Sequence, residues 1–315
     1  MKIVLLLVIY ALSFTFQILF CISCNKSNEY DFESVQCILT SSKGNTFVGT
    51  TGGMYRFSED FVTCEKIINK QTVSLTETSK GIIYYSNWEG LFQSKDDGKS
   101  WLNVDLPDNI GFHVNILQRN NNKELVIGTS NGVYRLNESE LTWIPIGEIK
   151  FPVWYLYITA SDVIFAYSLV KGIYKYEDNN SDWQYLGVGD VPLKDITYFN
   201  IDFQGNLFLS TDNNYIYRSM DGGKNWMQLK EGLEKVNIVT IGISTNNRIF
   251  MSTLHSIFYS DDSGNTWLKS KYQGNCFVTY FYSNDRGNVF AATFSNGLFV
   301  SNDNGITWTQ IHDEF

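Results

Sequence analysis

The chain has 315 residues, of which 16% are aromatic (8 Trp, 19 Tyr, 22 Phe) and only 18% are charged. Disordered chains are poor in aromatics and rich in charge, so this composition excludes disorder. The net charge of −9 excludes nucleic acid as a partner, because phosphate binding needs clustered Lys and Arg.

The first element is apolar. Lys2 is followed by Ile3 and an apolar run to Ile22, and no further charge occurs before Lys26. A short cationic start and such a run read as a secretory signal. It ends in Cys21-Ile22-Ser23-Cys24-Asn25. This resembles the lipobox of bacterial lipoproteins, which implies cleavage after Ser23 and a lipid on Cys24. The expected division is a signal peptide at 1–23, a short tether at 24–32 and the folded body at 33–315. Simple secretion remains open, and so does an uncleaved anchor, because about 20 apolar residues can span a bilayer. All three readings place the body outside the cytoplasm. Cys37, Cys64 and Cys276 form an odd set without metal-ligand spacing, so they read as three small buried hydrophobes. Neither a metal nor a cofactor is expected.

The body repeats itself. Four segments share Ser-x-Asp-x-Gly-x-x-Trp: Ser94 to Trp101, Ser219 to Trp226, Ser260 to Trp267 and Ser301 to Trp308. Leu136 to Trp143 and Tyr176 to Trp183 keep the Trp and lose the Gly, and Ser58-Glu59-Asp60 leads to Cys64 in the Trp position. Counted from Cys64, the anchors are spaced by 37, 42, 40, 43, 41 and 41 residues, which makes seven units. Within a unit such as 239–269, short β-branched and aromatic runs alternate with turn residues such as Asn246-Asn247, and no 3.6 period develops. A repeat of about 40–45 residues with four strands matches a propeller blade. The predicted fold is all-β: a seven-bladed β-propeller with four antiparallel strands per blade. Pro145 falls in a fourth strand, at the outer edge where Pro is tolerated. Pro107, Pro152 and Pro192 fall in or beside links between blades, and simple end-to-end ring closure is expected.

The eight-residue pattern resembles the Asp-box, or BNR, repeat of sialidases and related β-propellers. In such a turn the carboxylate accepts bonds from turn amides, glycine supplies a positive φ and Trp covers the turn. The resemblance implies a structural role, away from any ligand, for Asp96, Trp101, Asp221, Trp226, Asp262, Trp267, Asp303 and Trp308.

Topology then sorts the loops. Turns between strands one and two, and three and four, share one end of the ring. Turns between strands two and three share the other end with the links between blades. Fold analogy puts ligands at the second end. Its loops look the more varied, and they hold Trp88 and Trp154, the two Trp that are not anchors. The candidate ligand face is Trp88, Glu89, His113, Trp154, Lys171, Asp190, Lys194, Asp195, Asn214 and His255. Exposed Trp among polar groups suits sugar stacking or a protein hot spot.

Two functions compete. The resemblance to sialidases implies a clamp of three arginines. Arg56, Arg135 and Arg218, however, recur at one strand-three position after a Tyr, and Arg119, Arg248 and Arg286 sit at the first end. A glycoside hydrolase would have to draw its carboxylate pair from Glu89, Asp190, Asp195 and Asp212. The favoured reading is a non-catalytic, monomeric binding or assembly module. It would be held at the cell envelope by an N-terminal lipid or anchor, with a glycan or protein partner. This layout is similar to small single-ring propellers such as photosystem assembly factors and extracytoplasmic sensor domains.

Overall fold

The computed structural model describes residues 33–111, 113–122, 124–159, 161–178, 182–188, 196–211, 215–229 and 238–312. The leader, Cys24, the tether, Asp190, Pro192, Lys194, Asp195, Asp212 and Asn214 lie outside the described residues. Twenty-eight strands form seven four-stranded sheets, each built from four consecutive strands. Pairing within each sheet is antiparallel, as in blade 1, where Thr46 faces Phe57 and Phe57 faces Cys64. The first strand of every blade lies beside those of both neighbours, and Val278–Ser283 lies beside Val35–Thr40. The unit is therefore a seven-bladed propeller whose ring closes end to end, with no strand exchanged. Pro145 ends an outermost strand, Thr142–Pro145, as its missing N–H requires.

Burial runs radially. All seven second strands are buried at each of their five positions, because a blade packs against each face of them. Most fourth-strand positions are exposed. Between blades lie seven apolar cores, each shared by two neighbours. At the joint of blades 5 and 6, Phe208, Ile216 and Leu229 meet Ile241, Ile249 and Met251. Fully burying one such side chain contributes about 1.5–3 kcal/mol, which makes these joints the main source of stability.

The repeat turns pin those joints. Asp262 accepts from the Thr266 amide at 2.8 Å and its hydroxyl at 2.6 Å, while Ser260 accepts from the Gly264 amide at 2.8 Å. Asp96, Asp221 and Asp303 make the corresponding bonds with Ser100, Asn225 and Thr307. Gly264 has φ +87°, and a Cβ there would lie 2.7 Å from Leu229 of the preceding blade. The Trp rings do more than cover their own turns, because each packs into the core shared with the blade before it. Trp183 donates across its joint to the Ile146 carbonyl at 2.6 Å, and Trp308 to Ser270 Oγ at 2.7 Å. Trp183 is buried, and Trp101, Trp143, Trp226, Trp267 and Trp308 are half-buried.

Two expectations are corrected in blade 1. Cys64, at the anchor position, is exposed rather than buried, whereas Cys37 and Cys276 are buried as expected. The ring that seals the joint of blades 7 and 1 is Phe61, which meets Phe290 edge-on at 5.7 Å. Three residues before the anchor, the shortened turn already delivers an aromatic ring to the joint, so position 64 is free to face solvent.

Candidate functional site

Both tryptophans that are not anchors flank the same kind of strand end. Trp88 lies in the turn between the second and third strands of blade 2, and Trp154 directly precedes the first strand of blade 4. Five blades share one device at this end, at the close of the second strand. Thr50, Thr129, Thr211, Thr253 and Thr293 each close a second strand and donate across the turn to a backbone carbonyl at 2.9–3.5 Å. In the same five blades the first strand has six residues and its pairing shifts at the first position by a bulge.

Blades 2 and 4 break both rules. Their second strands end in Asn87 and Ser168. Their first strands, Ser74–Glu77 and Tyr155–Ile158, have four residues and pair in unbroken register. Bulges re-aim the backbone at strand ends. Losing them on either side of blade 3 gives this sector a contour found in none of the other described turns.

The side chains at the first corner are interlocked. Asn87 Oδ1 takes the role of the missing threonine and accepts from the amides of Glu89 at 2.8 Å and Gly90 at 3.1 Å. Trp88 is 40% exposed. Its indole N–H donates to Gln71 Oε1 at 2.6 Å, and its ring meets His113 at 5.4 Å and 85°. Both oxygens of Glu89 are held by Lys70, at 2.6 and 2.9 Å. At the second corner, Trp154 is half-buried and its amide donates to the Tyr167 carbonyl at 2.9 Å. Lys171 is exposed beside the exposed Leu169 and Val170. Blade 3 ties the corners into its frame, since Asn115 Nδ2 donates to the Val153 carbonyl at 3.0 Å. The structure thus groups Trp88, Glu89 and His113 at one corner and Trp154 with Lys171 at the other. His255 is exposed on blade 6, in a regular turn, apart from both.

The centre of the ring is occupied by phenols that sequence reading missed. Tyr198 of blade 5 donates to the Thr279 carbonyl of blade 7 at 3.4 Å, and Tyr157 to the Phe199 carbonyl at 2.6 Å. Burial pushes the Tyr157 and Tyr280 phenols far above their ordinary range. At the far end Arg119 of blade 3 reaches Asp285 of blade 7 at 3.2 Å. The signal was legible in Tyr157, Tyr198, Tyr280 and Tyr282, which all fall on first strands.

The carboxylates of the repeat turns are favoured as anions by the bonds they accept. Hydrogen bonds from the Asn225 backbone and side chain lower Asp221 to about 2, and those from the Thr266 hydroxyl and amide lower Asp262 to about 2. For Glu33 burial pulls upward, but bonds from Lys66, Thr50 and Tyr55 outweigh it and the net shift is down. Among the described residues, no three His, Cys, Asp or Glu side chains gather as metal ligands, and no helix is long and apolar enough to cross a membrane.

No protein-family model matches the chain, and no curated protein matches it either. Solved structures do. YCF48 bound to D1 peptide superposes with a TM-score of 0.68 at 14% identity, covering 85% of this chain and 93% of that one. Catalytically inactive virginiamycin B lyase from Staphylococcus aureus with quinupristin gives 0.64 at 11%, over 87% and 96%. The extracellular domain of BT3049 from B. thetaiotaomicron gives 0.64 at 14%, over 85% of this chain, which spans only 40% of that one. At these identities the likeness is one of fold. The chain is similar to single-ring seven-bladed propellers.

Proposed function

We propose that this chain is a non-catalytic binding module that works outside the cytoplasm and engages its partner with the sector of blades 2 to 4. The observation carrying this reading is the paired loss of the threonine cap and the bulge in the two blades that present Trp88 and Trp154. A repeat that keeps a device in five copies and drops it beside both non-anchor Trp has reshaped that sector. Half-exposed indoles with polar neighbours supply rigid contact area for a glycan face or a protein hot spot. YCF48 with its D1 peptide offers a precedent for a ring of this fold carrying a peptide.

The leader 1–23 acts in this proposal as the export signal, Cys24 as the lipid site and 24–32 as the tether. The four Ser-x-Asp-x-Gly-x-x-Trp turns are taken as Asp-boxes, on the strength of their carboxylate-to-turn bonds. Asp190, Lys194, Asp195 and Asn214 complete the proposed face. A hydrolase needs a carboxyl free to reach the scissile bond. Both oxygens of Glu89 are instead engaged by the Lys70 ammonium. Purified protein applied to glycan and peptide arrays tests the reading, alongside a screen with chromogenic glycosides. Binding that is lost in Trp88→Ala and Trp154→Ala, without turnover, supports it. Turnover abolished by Asp190→Ala or Asp195→Ala overturns it.

A further inference from the structure

At the end of the ring opposite Trp88, neighbouring blades are stitched by arginine. Arg56 of blade 1 donates to the Asp97 carbonyl of blade 2 at 2.9 Å. Arg218 of blade 5 donates to the Ser263 carbonyl of blade 6 at 2.5 Å and to Asn265 Oδ1 at 3.0 Å. Arg248 of blade 6 reaches the Asn304 carbonyl of blade 7 at 2.7 Å. The acceptor is the same each time: the fourth residue of the repeat turn, at φ 60°, 57° and 54°.

The joint of blades 4 and 5 has the acceptor and lacks the arginine. Its turn residue is Gly222, at φ 72°, and a Cβ there would meet nothing within 4 Å. The residue matching Arg56 and Arg218, after Tyr174 on the third strand, is Lys175, whose amine is engaged by Glu177 at 2.5 Å. Gln204, which accepts from Ser263 at the next joint, is matched here by Ser161 in the blade 4 turn. Three truncations at one joint leave a cavity of about 430 Å³ lined by Lys175, Gly222, Ser161, Thr159 and the 62%-exposed Phe203.

We propose that this cavity is a receptor for an arginine side chain of a partner protein, which takes the place that the chain's own arginine fills at the sibling joints. The Gly222 carbonyl accepts the guanidinium, as Asp97, Ser263 and Asn304 do. Phe203 covers its face, as Tyr259 covers Arg248 at 4.1 Å. Lys175 does not substitute, because a flexible ammonium lacks the planar fork that reaches a carbonyl and a wall together. Lys175, the charged residue of the lining, is paired with Glu177, so the wall presents no uncompensated positive charge to a cationic occupant. Position 265 is matched by Lys224, so the second acceptor of the Arg218 joint is missing and recognition falls to the carbonyl and the ring.

The test uses the whole chain labelled with [15N]glycine and titrated with N-acetyl-arginine amide, with N-acetyl-norleucine amide as the control. Saturable shifts of the Gly222 and Gly223 amides with the arginine probe alone are expected. Lys175→Arg fills the cavity from within and weakens the probe by about tenfold or more, the scale of one charge-assisted hydrogen bond. Phe203→Ala, at an exposed position that leaves the fold intact, weakens it roughly threefold. No saturation, equal binding by norleucine amide, or unchanged affinity in both variants overturns the proposal.

Discussion

Blades 6 and 4 are built on the same four-strand plan, each with an anchor Trp in the core before it, and differ in several devices around that plan. Blade 6 keeps the Thr253 cap, the first-strand bulge, the Ser260–Asp262 turn and Trp267, and it receives Arg218 from the blade before it. Blade 4 ends its second strand in Ser168, pairs its first strand without a bulge and carries Lys175 where arginine stitches two other joints. The difference separates two uses of one scaffold. Where the repeat is kept, side chains are consumed in holding the ring. Where it lapses, the same positions open surface: Trp154 at one end of the blade and a cavity at the other.

The largest expected break in that comparison is Trp267→Ala. Its ring is half-buried in the core shared by blades 5 and 6, so truncation should cost about 2–4 kcal/mol in urea unfolding, below the figure for a fully buried Trp. Ligand binding by the folded variant should not change. Next comes Arg218→Ala. The guanidinium is buried and bonded to Ser263 and Asn265, and its loss should cost about 1.5–3 kcal/mol. Lys175→Arg, which extends the stitching to the joint of blades 4 and 5, should raise the melting temperature instead.

Acid should act on the blades that carry the repeat turn. Asp221 and Asp262 are lowered to about 2 from an ordinary value of 3.8. A carboxylate depressed by folding contributes stability that is complete above its unfolded pKa and lost as pH falls through its folded one. The melting temperature should therefore decline between about pH 4 and pH 2, and Asp262→Asn should flatten the decline while lowering stability at neutral pH. A decline that Asp262→Asn leaves as steep as before would place the acid-sensitive carboxylates elsewhere. The smallest effect on folding is expected for Trp88→Ala, about 0.5 kcal/mol or less, because the ring is 40% exposed and sits outside the joint cores.

How much of this was legible in the sequence follows the same division. Anchor spacing and the four repeat turns gave the number of blades, their strand order and the place of Pro145, because those features recur. Substitutes that do a job from another position escaped. Phe61 seals a joint from three residues before the expected anchor, and Asn87 caps a turn with an amide where a threonine would use a hydroxyl. The Thr at the end of five second strands was present in the sequence as a column of identical residues. It becomes informative only once the strands are paired and blades 2 and 4 stand out. Contacts across the ring, such as Tyr198 with Thr279, link residues 81 apart and follow from no local pattern.

Recognition is proposed to depend on the sector that presents Trp88 and Trp154. The most direct test is one array experiment comparing wild type with Trp88→Ala, Trp154→Ala and Trp267→Ala, each shown to be folded by its melting curve. The prediction is that the first two variants lose the wild-type signal while Trp267→Ala keeps it. Retention of signal in Trp88→Ala and Trp154→Ala, with loss in folded Trp267→Ala, would move the binding face to the opposite end of the ring and contradict the account.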